Sequence, residues 1–145
     1  MEFQVHIPFV AHLGFELRRW EGGEAEIVYD PAPEHLNSFN VVHGGASMTL
    51  LDVVMAHAAR SVQQDMGCVT IEMKTSFMRA AQGPLRATGR LLHRSATMAF
   101  TEGHVYDAHQ RLCAHASGTF KYVRRLPVGH KATQTLNGPP GLATD

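Results

Sequence analysis

The stretch Leu36-Asn37-Ser38-Phe39-Asn40-Val41-Val42-His43-Gly44-Gly45-Ala46-Ser47-Met48-Thr49-Leu50-Leu51-Asp52-Val53-Val54-Met55-Ala56-His57-Ala58-Ala59-Arg60 changes character at its two glycines. Before them lies a polar, turn-prone loop; after them runs the longest helix-like pattern in the chain. Glycines carry no Cβ, so backbone or ligand can approach them closely. The first turn of a helix leaves N–H groups without intrahelical partners and carries the positive end of the helix dipole. An oxyanion or a polarised carbonyl is stabilised in such a place. About two turns further on stands one acid, Asp52.

On a helical wheel at about 100° per residue, Met48, Leu50, Leu51, Val54, Met55, Ala58, Ala59 and Val62 form one apolar arc. Thr49, His57, Arg60, Gln63 and Gln64 fill the other side, and Asp52 falls at the border beside Ala56 and Ala59. Taken alone, this is an amphipathic helix over about Gly45 to Gln64 with an aspartate at its rim, and such a pattern fixes no function. The His43-Gly44-Gly45 entrance is what points to chemistry: loop donors, a helix N-terminus and a lone carboxylate are the parts of an acyl-transfer site.

Upstream, Pro8 to Leu13 reads as a short helix. Phe15 to Arg18 alternates, Glu21-Gly22-Gly23 turns, and Ala25, Ile27 and Tyr29 alternate with Glu24, Glu26 and Val28 as the return strand of a hairpin. Asp30-Pro31-Ala32-Pro33 stops that strand, because proline cannot donate to a ladder. Downstream, Asp65-Met66-Gly67 ends the helix with a glycine near its C-cap. Four strand-like runs follow. In the first, Ile71, Met73, Thr75 and Phe77 face one way and Glu72, Lys74 and Ser76 the other. The others span about Leu85 to His93, Met98 to Tyr106 and Leu112 to Val123. Short connections favour antiparallel neighbours, and one long helix on such a sheet makes an α+β domain. Residues 1–126 form one domain in this reading, and 127–145 a flexible tail.

Hydrophobic residues make up 44% of the 145-residue chain, enough for a sizeable core, and the formal net charge of zero gives no electrostatic reason to expect nucleic acid or a membrane surface as partner. No apolar run approaches the ~20 residues of a membrane span, and no secretory signal is visible. Cys68 and Cys113 belong to no motif, which fits a reduced, cytoplasmic protein. The ten histidines show no His-x-x-x-His, His-Glu-x-x-His or Cys-x-x-Cys spacing, so no metal is expected, although His104, His109 and His115 straddle one hairpin.

The pattern Asn37-x5-His43-Gly44-Gly45-x6-Asp52, followed by the strand from Thr70 to Ala80, resembles the hotdog-fold acyl-CoA thioesterases, in particular the phenylacetate-pathway-type (PaaI-like) branch. The resemblance spans about residues 10 to 123. It implies a curved antiparallel sheet of five to six strands wrapped around the central helix, and hydrolysis of an acyl-CoA without a cofactor. It further implies a homo-oligomer, a dimer or a dimer of dimers, with active sites between subunits.

By the same resemblance, the Gly44 N–H polarises the thioester carbonyl, and Asp52 attacks it or activates water. Asn37 positions water or the thioester, His43 braces the loop, and the Thr70 hydroxyl bonds the carboxylate. Gly45, Met48, Met55 and Phe77, with Val54, are candidates for the substrate-binding surface. Arg79, Arg90 and Arg94 stand at strand ends where CoA phosphates could be met. Each residue also has an ordinary reading: Asn37 as a turn residue, His43 as a backbone-bonded side chain, Thr70 as a β-branched strand residue. Two positions depart from the family pattern. Asn40 stands where glycine is common and tolerates a left-handed backbone. Gln110 replaces the glycine of the last hairpin, which predicts a different turn type there. The alternatives are a hotdog hydratase or dehydratase, whose Asp/His or Glu/His signatures are absent, and a non-catalytic acyl-CoA-binding protein.

Overall fold

A short helix, α1 (Pro8–Leu13), carries proline at its start, where a missing N–H costs no hydrogen bond, and ends on Gly14 in the left-handed conformation at φ 79°. The hairpin of β1 (Glu16–Glu21) and β2 (Glu24–Tyr29) turns at Gly22 and Gly23, both at positive φ. Ala25, Ile27 and Tyr29 are buried, as their alternation predicts. A single 3-10 turn at Pro33–His35 and a loop lead into α2 (Gly44–Arg60). Then come β3 (Gly67–Phe77), β4 (Leu85–Arg94), β5 (Met98–Tyr106) and β6 (Leu112–Val123). The six strands form one antiparallel sheet in the order β1-β2-β4-β5-β6-β3, with α2 packed on its inner face. This is the hotdog architecture. The structure, a computed structural model, describes residues 1–124 and two short paired strands, Thr133–Gln134 and Pro140–Gly141; otherwise the expected flexible tail lies outside the described residues. Among the described residues no helix is long and apolar enough to cross a membrane.

The inner face of the sheet is built from small residues where α2 crosses it. Leu50, Leu51, Val54, Met55, Ala58 and Ala59 are fully buried against Ala87, Ala99, Ala116 and Phe120, with Gly89, Gly103 and Gly118 among them. Gly89 is the closest approach: a Cβ there would stand 2.4 Å from the Val54 carbonyl oxygen. That contact is backbone against backbone, so no rotamer change relieves it. Gly89→Ala is therefore expected to cost about 3 kcal/mol or more of folding stability, read as a drop in the urea midpoint. At Gly103 the added methyl would meet the Leu51 and Met55 side chains at 3.1 Å and the Thr88 carbonyl at 3.3 Å, and at Gly118 the Met55 and Phe120 side chains at 3.0 Å; the closest neighbours are side chains, so the loss is expected to be smaller.

Three details differ from the sequence reading. First, α2 stops at Arg60 rather than Gln64; Ser61 caps it, and Gly67 opens β3 instead of closing the helix. Second, His57 and Arg60, assigned to the polar side, are only 3% and 4% exposed. Phe3, Gln4 and Trp20 cover them: Trp20 Nε1 donates to the His57 carbonyl at 2.9 Å, and Arg60 donates to Met66 O, Gln64 O and the Gln4 side chain. Third, a bulge between Thr70 and Glu72 slips the register of β3, so Thr70, Met73, Thr75 and Phe77 stand opposite inner-face residues of β6, and Ile71 is left exposed. At the last hairpin, Gln110 takes φ 63°, a conformation glycine adopts readily, while the Asp107 carboxylate accepts from the His109 and Arg111 amides.

The burial of His57 has a consequence for stability. Its Nδ1 lies 2.9 Å from the Val53 carbonyl, which can only accept, so Nδ1 carries the proton and the buried Nε2 has no partner. Burial, against a raising contribution from the Val53 bond, lowers its pKa from 6.5 to about 4. Between those values the unfolded chain binds a proton that the folded chain refuses, so stability falls as the pH drops through this window. The loss attributable to His57 is expected to reach about 2–3 kcal/mol near pH 4.5, measured by denaturant titrations at several pH values. A His57→Gln variant should flatten that part of the curve.

Candidate active site

The loop entering α2 is held by its own hydrogen bonds. The Asn37 side-chain oxygen accepts from the Phe39 and Val41 amides, and Asn37 N–H donates to Val41 O at 2.8 Å. Asn40 turns the loop at φ 61°, the left-handed conformation its side chain tolerates. Asn37 thus acts as a turn residue through its oxygen and leaves its amide nitrogen to donate elsewhere. Val42 N–H bonds Ala81 O, and His43 N–H bonds His35 O, tying the loop to the segment after β3 and to the 3-10 turn.

His43 is the N-cap of α2. Its Nδ1 accepts from the Gly45 amide at 2.8 Å, and its carbonyl accepts from Ala46 and Ser47. His43 thus holds the loop entrance through both its ring and its backbone. Gly45, in contrast, spends its N–H on His43, and a Cβ there would meet His43 Nδ1 at 3.0 Å. Gly45 is therefore a packing glycine rather than a donor to substrate. The Gly44 N–H is left with no partner among the described residues. It is the single free amide of the glycine pair, at the positive end of a 17-residue helix.

A cavity of about 410 Å³ opens beside Gly44, lined chiefly by Val41, Val42, Phe77, Met78, Ala81 and Ala114, with Ser47, Cys113, Asn37 and Arg79 as its polar members. Phe77 belongs to this wall. Ser47 and Cys113 are residues that the sequence reading did not select. Ser47 follows Gly44 by three positions and therefore lies above it on the same helical face.

Asp52 stands two turns along α2, half-buried, and accepts a hydrogen bond from Thr70 Oγ1 at 2.6 Å. Burial pushes its carboxyl above the usual carboxylate range, and the Thr70 bond pulls it back. Met48, Thr49, Thr70 and Met73 surround it in a shallow hollow. Met48 is 37% exposed and belongs to this surface. Met55 and Val54 do not: both are fully buried under the sheet, so their assignment to the substrate surface is corrected. Among the described residues no three His, Cys, Asp or Glu side chains are grouped as metal ligands would be; His104 and His115 face each other on the outer side of the sheet, next to Glu102.

These features agree with what the chain is similar to. A family model described as the thioesterase superfamily matches residues 39–114. A medium/long-chain acyl-CoA thioesterase from Escherichia coli K12 is 25% identical over 137 residues, 81% of this chain and 87% of that protein. Two solved structures align closely. A conserved protein from Pseudomonas aeruginosa is 30% identical with a TM-score of 0.79, covering 83% of this chain and 97% of its own. A phenylacetic acid degradation-related protein from Ralstonia eutropha is 28% identical with a TM-score of 0.75, covering 81% and 92%. The chain belongs to the thioesterase superfamily, a family of thioester hydrolases.

Proposed function

We propose that this protein hydrolyses an acyl-CoA thioester, with a small aryl or medium-chain acyl group, to the free acid and CoA. The observation that carries this reading is the pairing of an unpartnered Gly44 N–H with a Thr70-held Asp52 carboxylate on one helix. The amide receives the charge that grows on the thioester oxygen as the tetrahedral intermediate forms. The carboxylate attacks the carbonyl carbon or takes a proton from the attacking water. The mostly apolar cavity beside Gly44 suits an acyl group and would leave the CoA arm toward solvent, where Arg79 at the rim can meet a phosphate.

Eight residues separate Gly44 from Asp52, about 12 Å of helix rise. A carbonyl polarised by Gly44 at about 3 Å cannot also lie against Asp52 of the same chain. The site is therefore completed by a second copy, the amide of one subunit facing the carboxylate of the other. The exposed edge of β3 offers a surface for this association: its 11 residues pair with β6 on one side only, and Ile71, Phe77 and the following Met78 are more than half exposed. Cys68 and Cys113 are both free thiols, which fits a reducing, cytoplasmic setting.

The direct test is release of free thiol from phenylacetyl-, hydroxybenzoyl-, short-, medium- and long-chain acyl-CoAs. Turnover of one class supports the reading and names the acyl group. Binding without turnover across the panel would replace it with a non-catalytic acyl-CoA-binding role.

A further inference from the structure

The 3-10 turn before the glycine loop contains a side chain with an unusual load. His35 Nδ1 accepts the Ala32 amide at 3.1 Å and lies 2.7 Å from the Tyr29 hydroxyl. A backbone N–H can only donate, so Nδ1 must offer a lone pair, and the ring proton of the neutral imidazole sits on Nε2. The Tyr29 hydroxyl then donates as well. Tyr29 is 1% exposed and burial raises its pKa, so it stays a phenol. One nitrogen lone pair thus joins the end of β2, the start of the turn and the turn's last residue.

The backbone of the same residue reaches the site. His35 O accepts the His43 amide at 2.9 Å, and Leu36 and Val42 form the adjoining bridge. His43 in turn caps Gly45 and starts the helix, which leaves Gly44 N–H as the free donor. The connection from Tyr29 to Gly44 is continuous: hydroxyl, imidazole, turn backbone, helix cap, glycine amide.

We infer that His35 is a positioning residue for the thioester carbonyl site: its unprotonated Nδ1, held between Tyr29 and Ala32, fixes the turn that aims the Gly44 amide. The inference rests on the hydrolytic reading above. Removing that acceptor leaves the Ala32 amide and the Tyr29 hydroxyl without their shared partner. The turn loosens, and the cap at His43 loses its anchor. The ionisable groups facing the ring are Tyr29 from β2 and His12 from α1, whose ring lies 5.9 Å away. Glu34 precedes it in the turn, and His43 meets its backbone from the start of α2.

Two readouts test this. The first is kcat and KM for wild type, His35→Leu and His35→Asn, where the asparagine Oδ1 can stand near Nδ1 as an acceptor. His35→Leu is expected to lower kcat about tenfold with KM within about twofold, because only the oxyanion contact is disturbed. His35→Asn is expected to recover kcat to within about threefold of wild type. Should His35→Leu not fold, Tyr29→Phe with His35→Asn makes the same comparison. Wild-type kcat in His35→Leu, or a folded His35→Asn as slow as His35→Leu, overturns the inference.

The second readout needs no activity: backbone amide chemical shifts followed by NMR at one pH in wild type, His35→Leu and His35→Asn. His35→Leu is expected to move Ala32, His43 and Gly44 together, and His35→Asn to return all three toward their wild-type positions. Unchanged His43 and Gly44 shifts in a folded His35→Leu overturn the inference. Absence of turnover in wild type, with this linked response intact, would instead remove the hydrolytic reading.

Discussion

Asp52→Asn is expected to lower kcat for acyl-CoA hydrolysis by at least about 100-fold while acyl-CoA affinity stays within a few-fold. The asparagine keeps the shape and can still accept the Thr70 hydroxyl, so the hollow around it persists. What it lacks is the charge that, in the proposed mechanism, attacks carbon or takes a proton from water. The same substitution should leave the protein equally or more stable at neutral pH. Burial raises the pKa of Asp52, so the folded chain holds this proton more tightly than the unfolded one. Its contribution to stability is present at low pH and is lost as the pH rises through the folded value. Removing the charge relieves that loss, and the gain should shrink on acidification. In wild type, the acid limb of kcat/KM should fall above the ordinary carboxylate range for the same reason. A variant with near wild-type kcat would return Asp52 to the role of a rim aspartate.

Gly44→Pro deletes the free amide without breaking the helix. Gly44 is the first residue of α2, where proline is well tolerated. His43, at φ −59° and ψ 136°, already has the extended conformation that a following proline requires. A Cβ there meets only the Phe77 ring edge at 3.4 Å. The expected loss is about 100-fold in kcat, the usual cost of one oxyanion donor. Mixing this variant with Asp52→Asn then tests where the site lies. If amide and carboxylate come from different subunits, each mixed pair regains one intact site of two, and random exchange returns about a quarter of wild-type activity. No recovery after verified subunit exchange would place the whole site within one chain, against the 12 Å helix rise estimated above.

The helix, the hairpins and the short connections were legible because their signals are local: period-two alternation in β2, turn glycines at Gly22 and Gly23, the glycine pair before a long apolar arc. Three features were not, and each is set by a distant part of the chain. His57 and Arg60 look polar on a wheel, but Trp20 and Phe3 cover them from segments that the wheel does not include. Met55 looks like pocket lining, but the glycines at 103 and 118 draw it into the core. The bulge in β3 leaves no mark that alternation can read, since Ile71 is as apolar as a core residue. Without it, Thr70 and Met73 would face opposite sides of the sheet. The spacing from Asp52 to Thr70 was visible through the family resemblance; the face on which Thr70 lands was decided by the bulge.

The backbone contact between Gly89 and Val54 also limits how such a protein can acquire new substrates. A helix pressed against its sheet to within one absent methyl leaves no space between the two for a bulkier acyl chain. The deep positions Val54 and Met55 are committed to folding. Under the proposed function, changes in acyl preference would fall to the shallow residues Met48 and Met73 near the carboxylate and Phe77 and Met78 near the amide. Libraries restricted to these four positions should alter chain-length preference with little loss of expression, whereas mutations beneath them would mostly select for survival of the fold.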